Sequence, residues 1–146
     1  MKKIFKTLLT VCIMILSFGL AACGTTYAKI TGIFAGIGTE QTDPFVYDNP
    51  LLNDNTITEY DYILQVDKSY LFGVTYLQSG GSIICSMNHK NVSLKYDEDV
   101  LEIVYSNNEG EAAFYNLTCK KEVEYTAVII EVEEYTYTII ISAKTA

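Results

Sequence analysis

The sequence predicts an all-β protein, folded as an antiparallel β-sandwich that follows an N-terminal export signal. Residues 57–142 are rich in Ile, Val, Thr and Tyr, which recur in short runs with alternating polarity. Clusters of Gly, Asn, Asp and Lys separate these runs at short intervals, as turns between strands do. The first 22 residues have the three-part layout of a secretory signal and stand outside the fold.

The N-terminal signal begins with a positive region that contains Lys2, Lys3 and Lys6. An apolar region follows over residues 8–20, and small residues then precede Cys23. Because this apolar run is shorter than the roughly 20 residues that a membrane-spanning helix needs, we expect residues 1–22 to be removed as a signal peptide. The alternative is an uncleaved N-terminal membrane anchor.

The end of this segment, Leu20-Ala21-Ala22-Cys23, resembles the lipobox of bacterial lipoproteins. The resemblance implies that the Cys23 thiol takes a diacylglyceryl group and that Cys23 becomes the mature N-terminus. Two or more acyl chains hold a protein stably on a membrane, whereas one does so marginally. Gly24, Thr25 and Thr26 are small and polar and suit a short tether. The expected location is the extracytoplasmic side of the cell membrane.

Charge narrows the range of partners. Without residues 1–22 the chain keeps seven lysines against 18 acidic residues, a net charge of −11, and it contains no arginine. Such a chain is a poor nucleic-acid binder because it lacks the bidentate phosphate donor, so no nucleic-acid partner is expected. Anionic headgroups would repel it, so only the lipid on Cys23 need touch the membrane. The other expected partner is an unidentified protein or surface ligand.

The predicted organisation has three parts: signal peptide 1–22, then lipid anchor, tether and an N-terminal strand and loop extension 23–56, and the sandwich domain 57–146. The extension contains a strand at 29–37 and a polar loop at 39–56, and we expect either a short strand around 45–47 or a looser N-terminal extension. A helix over 122–134 fits by length, but its β-branched residues favour a strand. The sandwich strands are expected at 57–66, 69–77, 82–87, 92–96, 99–105, 112–119, 123–132 and 135–142, with turns at 67–68, 80–81, 107–110 and 120–121.

Alternation also predicts which side chains are buried. We expect Tyr137 and Ile139 inside with Leu117 and Ile103, and Thr138 on the opposite face. The consecutive apolar residues 128–130 indicate a strand that lies centrally or is covered on both faces.

Residues 70–141 are similar to a bacterial immunoglobulin-like domain. Three features carry the resemblance: an acidic corner, 97–99, before a Val-Leu-x-Val-type strand within 92–104; the pattern Glu111-x-Ala113-x-Tyr115-x-Leu117, which resembles strand F of such domains; and the alternating Tyr and Ile of 135–141. The resemblance implies an immunoglobulin-like sandwich.

Two of the four cysteines have no assigned chemistry after Cys12 leaves with the signal and Cys23 takes lipid. Cys85 and Cys119 would then be a pair in an oxidising compartment, which predicts a disulfide. It would close a loop of about 35 residues, worth roughly 4 kcal/mol in the chain-entropy model. The alternative is two buried free thiols that pack as small apolar groups.

Candidates for chemistry are few, and no catalytic or metal-binding residue is predicted. His89 is the single histidine and is expected to be a solvated turn residue, since no motif supplies an orienting acid or nucleophile. Two acidic clusters have calcium-type oxygen ligands, but turn chemistry is the favoured interpretation of both. The clusters are Asp97, Glu98, Asp99 and Glu102, and Asp48, Asn49, Asn53, Asp54 and Asn55.

Other patterns are interpreted structurally. Gly32, Gly36 and Gly38 are strand glycines that allow a bulge or a close approach. The tyrosine pairs 60/62 and 135/137 each share a strand face and could be a recognition stripe, although core packing is favoured for most tyrosines.

The leading hypothesis is a non-enzymatic, membrane-anchored envelope lipoprotein that serves recognition or scaffolding. The first alternative is an exported protease inhibitor of immunoglobulin-like fold, although the loop motifs of chagasin-like inhibitors have no counterpart in the sequence. The second is a carboxylate-dependent hydrolase, which would require two carboxylates about 5–10 Å apart in a cleft.

Overall fold

Strands make up most of the described residues. The computed structural model describes residues 25–38, 43–45 and 62–146, so Cys23, the acidic cluster at 48–55 and Tyr60 lie outside the described residues. Within these ranges no helix is long and apolar enough to cross a membrane. The elements are β1 (Lys29–Gly38), β2 (Tyr62–Gln65), β3 (Ser69–Ser79), a 3₁₀ turn (His89–Asn91), β4 (Val92–Lys95), β5 (Leu101–Glu109), β6 (Ala112–Cys119), β7 (Val123–Val132) and β8 (Tyr135–Lys144).

The strands of the described residues form two four-stranded sheets that pack as a sandwich. The first sheet has the order β1-β3-β6-β5 and the second has the order β2-β8-β7-β4. Neighbouring strands are antiparallel except β2 and β8, which are parallel. This is the immunoglobulin arrangement, in which strands A, B, E and D face strands C, F and G. In this protein the position of the first strand is divided between the sheets, with β1 in the first sheet and β2 in the second. The predicted immunoglobulin-like β-sandwich is confirmed.

The topology corrects one motif assignment. The Glu111–Leu117 pattern lies on β6, which pairs with β3 and β5 in the first sheet and therefore occupies the position of strand E. The position of strand F belongs to β7, between β8 and β4. Because degenerate alternation is common to both strands, the pattern alone did not distinguish E from F.

The core lies between the sheets and follows the predicted alternation. Ile139 and Leu117 are buried, and Thr138 is exposed. Tyr137 and Ile103 are partly buried and pack against the core. On β7, alternate residues of the 128–130 run enter the core and the strand is internal in its sheet, as predicted. Burial of each such aliphatic side chain contributes about 1.5–3 kcal/mol, so this layer stabilises the domain.

The sandwich begins earlier than the predicted boundary at residue 57. β1 pairs with β3 along its whole length, and Ile33, Ala35 and Ile37 belong to the core. The segment assigned to an N-terminal extension is therefore an integral strand of the first sheet. Glycines weaken the strand pattern of this segment in the sequence. The strand forms nevertheless, and a bulge between Ile30 and Gly32 accommodates one of the glycines.

Two further local predictions are wrong. Residues 82–87 do not form a strand, because their backbone bonds to the N-terminal segment and to the Gln78 side chain. The turn expected at 107–110 is shorter, since β5 continues to Glu109 and the chain reverses at Gly110, whose φ is +57°. The predicted turn at 67–68 is confirmed, with Asp67 at φ +64°.

Candidate functional site

The N-terminal segment is fixed to the body of the sandwich from Thr26 onward. The Thr26 carbonyl accepts hydrogen bonds from the backbone N–H groups of Ser82 at 2.8 Å and Ile83 at 3.0 Å. The Ala28 N–H donates to the Ile83 carbonyl at 2.7 Å. Gly81, at φ +78°, permits this approach, because a Cβ there would lie 2.6 Å from the Tyr27 backbone. Thr26, three residues after Cys23 in the sequence, is therefore bonded to the body of the sandwich.

This N-terminal end, defined as residues 26–29 and 77–84, displays large apolar side chains. Tyr27 is 74% exposed, Leu77 48% and Ile84 45%. They lie where β1 begins and β3 ends, since Lys29 pairs with Ser79. The sequence offered no signal for this patch, because its members are separated along the chain.

The predicted Cys85–Cys119 disulfide is wrong, because both thiols are free and lie at opposite ends of the first sheet. The Cys85 N–H donates to Gln78 Oε1 at 2.7 Å, near the end of β3. Cys119 follows Thr118, which pairs with Ser69 at the start of β3. Nine residues of strand between Ser69 and Gln78 span roughly 30 Å, whereas a disulfide requires Cα atoms within about 7 Å.

The two thiols have different surroundings. Cys119 is completely buried, and that burial raises the pKa of its thiol to about 11. Cys85 is partly exposed and its Sγ lies 3.6 Å from the Ala28 carbonyl oxygen. The thiolate is the nucleophilic form of cysteine, so Cys119 is both inaccessible and in its unreactive state near neutral pH.

His89 stacks on an exposed tyrosine of the edge strand β5. Its ring lies 3.7 Å from that of Tyr105, with an angle of 16° between the planes. The Tyr105 hydroxyl donates to Asn108 Oδ1 at 3.1 Å, and Asn108 Nδ2 donates to the Met87 carbonyl at 2.8 Å. These contacts attach the turn around Asn88 to β5. His89 thus lies in a turn, as predicted, but it is half-buried through stacking.

The acidic corner between β4 and β5 is a backbone turn. Asp97 Oδ1 accepts from the Asp99 N–H at 2.9 Å, and the Asp97 carbonyl accepts from Leu101 at the same distance. Lys120 Nζ donates to the Glu98 carbonyl at 2.7 Å. The part of the chain that the structure describes contains no group of three or more His, Cys, Asp or Glu side chains arranged to hold a metal ion. At this corner the turn interpretation is the one that the geometry supports.

A groove of about 660 Å³ at the far end of the second sheet is lined by Glu122, Glu124, Lys144 and Thr145. Thr145 donates to Glu122 through its backbone N–H at 2.8 Å and also through its hydroxyl. These bonds lower the pKa of Glu122. A general acid in glycoside hydrolysis needs a raised carboxyl pKa, so the shift at Glu122 has the opposite direction. Residue patterns did not reveal this pair, since Thr145 lies beyond the last predicted strand.

A second groove, of about 700 Å³, runs along the outer face of the first sheet beside Pro44 and Phe45. The Phe45 ring lies between Phe34 and Phe114, with centroid distances of 6.1 and 6.0 Å. A Cβ on Gly36 would lie 1.9 Å from the Pro44 carbonyl oxygen. The predicted role of the β1 glycines, a bulge and a close approach, is confirmed at Gly32 and Gly36.

The described tyrosines of the two candidate stripes point towards the core. Tyr62 is buried, while Tyr135 and Tyr137 are partly buried and pack against the core cluster. The Tyr135 hydroxyl donates to the Ile30 carbonyl at 3.2 Å and so connects the two sheets. Core packing is therefore the role of these three side chains.

Comparison with known proteins finds similarity to solved structures of a surface layer protein. No protein-family model matches the chain, and curated proteins give no match. Among solved structures it is similar to domains 4–9 of the surface layer protein SbsC, with a TM-score of 0.51 and 11% identity, over 82% of this chain and 15% of that one. A structure of SbsC domains 4 and 5 gives a TM-score of 0.45 and 15% identity, over 58% of this chain and 41% of that one. The chain spans less than half the length of either structure.

Proposed function

We propose that this chain is a lipoprotein of the bacterial cell envelope. Its lipid is attached to Cys23 on the extracytoplasmic side of the cell membrane. Its sandwich serves recognition or scaffolding and not catalysis. The proposal includes removal of residues 1–22 as a signal peptide.

The observation that carries the proposal is the attachment of Thr26 to the sandwich close to Cys23. Thr26 is bonded to Ser82 and Ile83, and it follows Cys23 by three residues in the sequence. The strands listed above begin at Lys29, downstream of the proposed cleavage site before Cys23. A lipid on Cys23 would then be attached directly to a folded domain, and two or more acyl chains would hold that domain stably at the membrane.

The groups that most resemble catalytic residues are engaged in structural roles, which supports the non-catalytic part. The Cys119 thiol is buried and protonated, and Glu122 is bound by Thr145. The His89 ring is stacked against Tyr105. The immunoglobulin-like sandwich is an architecture that many cell-surface domains share, which fits a recognition role.

Metabolic labelling with an alkynyl fatty acid tests the anchor. We expect label on the wild type and no label on Cys23→Ser. The variant should leave the membrane fraction or remain as an unprocessed precursor. Cys12→Ala is the matched control, because it removes a cysteine upstream of the lipobox and should keep the label. Equal labelling of wild type and Cys23→Ser would overturn the proposal.

Chemical crosslinking in intact cells tests the recognition role. We expect discrete adducts of higher mass with the wild type, and their loss in Cys23→Ser, which is not held among envelope partners. A protein that stays entirely monomeric under these conditions would contradict recognition or scaffolding while leaving the anchor intact.

A further inference from the structure

We infer that the N-terminal end of the sandwich rests on the bilayer and that Tyr27 and Ile84 lie in the headgroup layer. The inference deepens the proposed function and rests on lipidation of Cys23. It adds an orientation and a contact surface to the anchor, with a phospholipid bilayer as the partner.

The reach of the chain carries the first step. Thr26 is fixed by hydrogen bonds to Ser82 and Ile83. Three residue steps separate its Cα from that of Cys23, and a fully extended chain covers at most about 11 Å in that number. The diacylglyceryl group keeps the Cys23 sulfur at the membrane surface, where the headgroup layer is roughly 5–8 Å deep on each side. Even a fully extended tether therefore keeps the N-terminal end within a few Å of the headgroup layer.

The side chains at this end are suited to that environment. Tyr27 is 74% exposed and Ile84 is 45% exposed, although both are large and apolar in part. Tyrosine is enriched at the membrane–water interface because its ring is apolar and its hydroxyl remains hydrated. The Tyr27 backbone cannot withdraw, since Tyr27 forms a β-bridge with Ile83 and Ala28 bonds to the same residue.

The charged side chains at this end do not favour anionic lipid, so the contact depends on apolar and aromatic side chains. Lys29 is exposed at this end, and the β7–β8 turn adds Glu133 and Glu134. Tyr76 donates to Glu133, and Tyr135 donates to the Ile30 carbonyl, which places that turn at the same end. Because both signs are present and the net charge is negative, anionic lipid is not required. Zwitterionic phosphatidylcholine should suffice.

The opposite end of the sandwich supplies an internal control. Tyr125 is 67% exposed and lies at the start of β7, between the pairs Val123–Ala143 and Thr126–Ile141. Tyr135, at the N-terminal end, is separated from this region by more than about 20 Å along β8. Tyr27 and Tyr125 are thus comparably exposed tyrosines at opposite ends of the domain.

The chain contains no tryptophan, so a single substitution creates a unique fluorophore. The experiment uses the full chain, expressed with its signal and purified after lipidation, as Tyr27→Trp and as Tyr125→Trp. Each variant is reconstituted into phosphatidylcholine vesicles with and without brominated acyl chains, which quench an indole only near the bilayer. Flotation of the vesicles reports anchoring separately.

We expect both variants to float, with bromine-dependent loss of emission and a blue shift for Tyr27→Trp only. Flotation with no quenching of Tyr27→Trp, or with equal quenching of both variants, would overturn the contact while leaving the anchor intact. Failure of both variants to label with fatty acid and to float would overturn the anchor and the contact together. Ile84→Trp is the second probe, should Tyr27→Trp disturb the β-bridge, and is expected to be quenched as well.

Discussion

The ring of Phe45 lies over Gly73 of β3, so close that a Cβ on that glycine would come within 2.7 Å of the ring Cζ. Gly73 pairs with Gly36 of β1, where a Cβ would meet the Pro44 carbonyl oxygen. Two glycines opposite each other thus leave a slot on the outer face of the first sheet, and Pro44 and Phe45 fill it. Pro44 is buried and Phe45 half-buried as a result.

The first prediction is that Gly73→Ala destabilises the domain by about 1–3 kcal/mol, the usual cost of overpacking. The added methyl would displace the Phe45 ring, because its Cζ is the nearest atom, at 2.7 Å. Pro44 and Phe114 lie at 3.0 and 3.2 Å and leave little space beside it. Urea denaturation measures the change in the free energy of unfolding. Gly32→Ala is the control on the same outer face, since its Cβ meets only Leu77, at 3.5 Å, and it should cost less.

A double-mutant cycle shows whether Phe45 carries the effect. In a Phe45→Ala background the Gly73→Ala substitution should cost less, with a coupling energy of about 0.5–3 kcal/mol between the contacting sites. Additive costs would contradict the packing of Phe45 on Gly73.

The parts of the fold that sequence predicts correctly are those that local patterns determine. The bounds of β6 and β7 coincide with the predicted 112–119 and 123–132, because the Lys120-Lys121 turn separates the two apolar runs and Glu133-Glu134 follows the second. The burial of Ile139 and the exposure of Thr138 follow from the same period of two.

The incorrect predictions depend on tertiary contacts. The sequence gives no distance between Cys85 and Cys119, and the register of β3 separates them. Asn107 and Asn108 have turn composition, yet both pair with β6, and the Asn108 side chain donates to the Met87 carbonyl, 21 residues away in the sequence. The fixed position of Thr26 depends on a loop 56 residues away, so the orientation of the anchor could not be predicted.

The second prediction concerns thiol accessibility. In the native exported protein Cys85 should react with iodoacetamide without reductant, because it is partly exposed and unpaired. Cys119 should react only after unfolding, because it is completely buried. Mass spectrometry of peptides from native and urea-treated samples distinguishes the two sites. A Cys85–Cys119 crosslinked peptide before any denaturation would contradict this arrangement of strands.

The third prediction is a loss of stability at alkaline pH that Cys119 partly controls. The folded pKa of Cys119 is raised to about 11 from an ordinary value of 9.0. Between these values the unfolded chain has released the proton and the folded chain retains it, so stability falls as pH rises. Two pKa units correspond to roughly 2–3 kcal/mol by pH 11. Tyr115, raised to about 12, extends the decline at higher pH.

Cys119→Val tests this assignment, because valine is a small apolar residue that does not titrate. The wild type should lose stability more steeply than the variant between pH 9 and pH 11, as measured by urea denaturation at each pH. Cys85→Val is the control and should keep the wild-type slope. Parallel pH profiles for wild type and Cys119→Val would show that the buried thiol does not contribute.

The last prediction compares two adjacent positions of β8 that face opposite sides. Ile139 is 1% exposed and lies in the core, whereas Thr138 is exposed. Ile139→Asp would bury a carboxylate without a partner, at a cost of several kcal/mol, while a small domain has only about 5–15 kcal/mol of stability. We therefore expect Ile139→Asp to be unfolded and Thr138→Asp to fold with a loss of about 1 kcal/mol or less, from strand propensity alone. Circular dichroism and urea denaturation of the two variants give the answer, and because both introduce the same charge, the difference between them isolates burial. Equal tolerance of aspartate at the two positions would mean that β8 does not present Ile139 to the core.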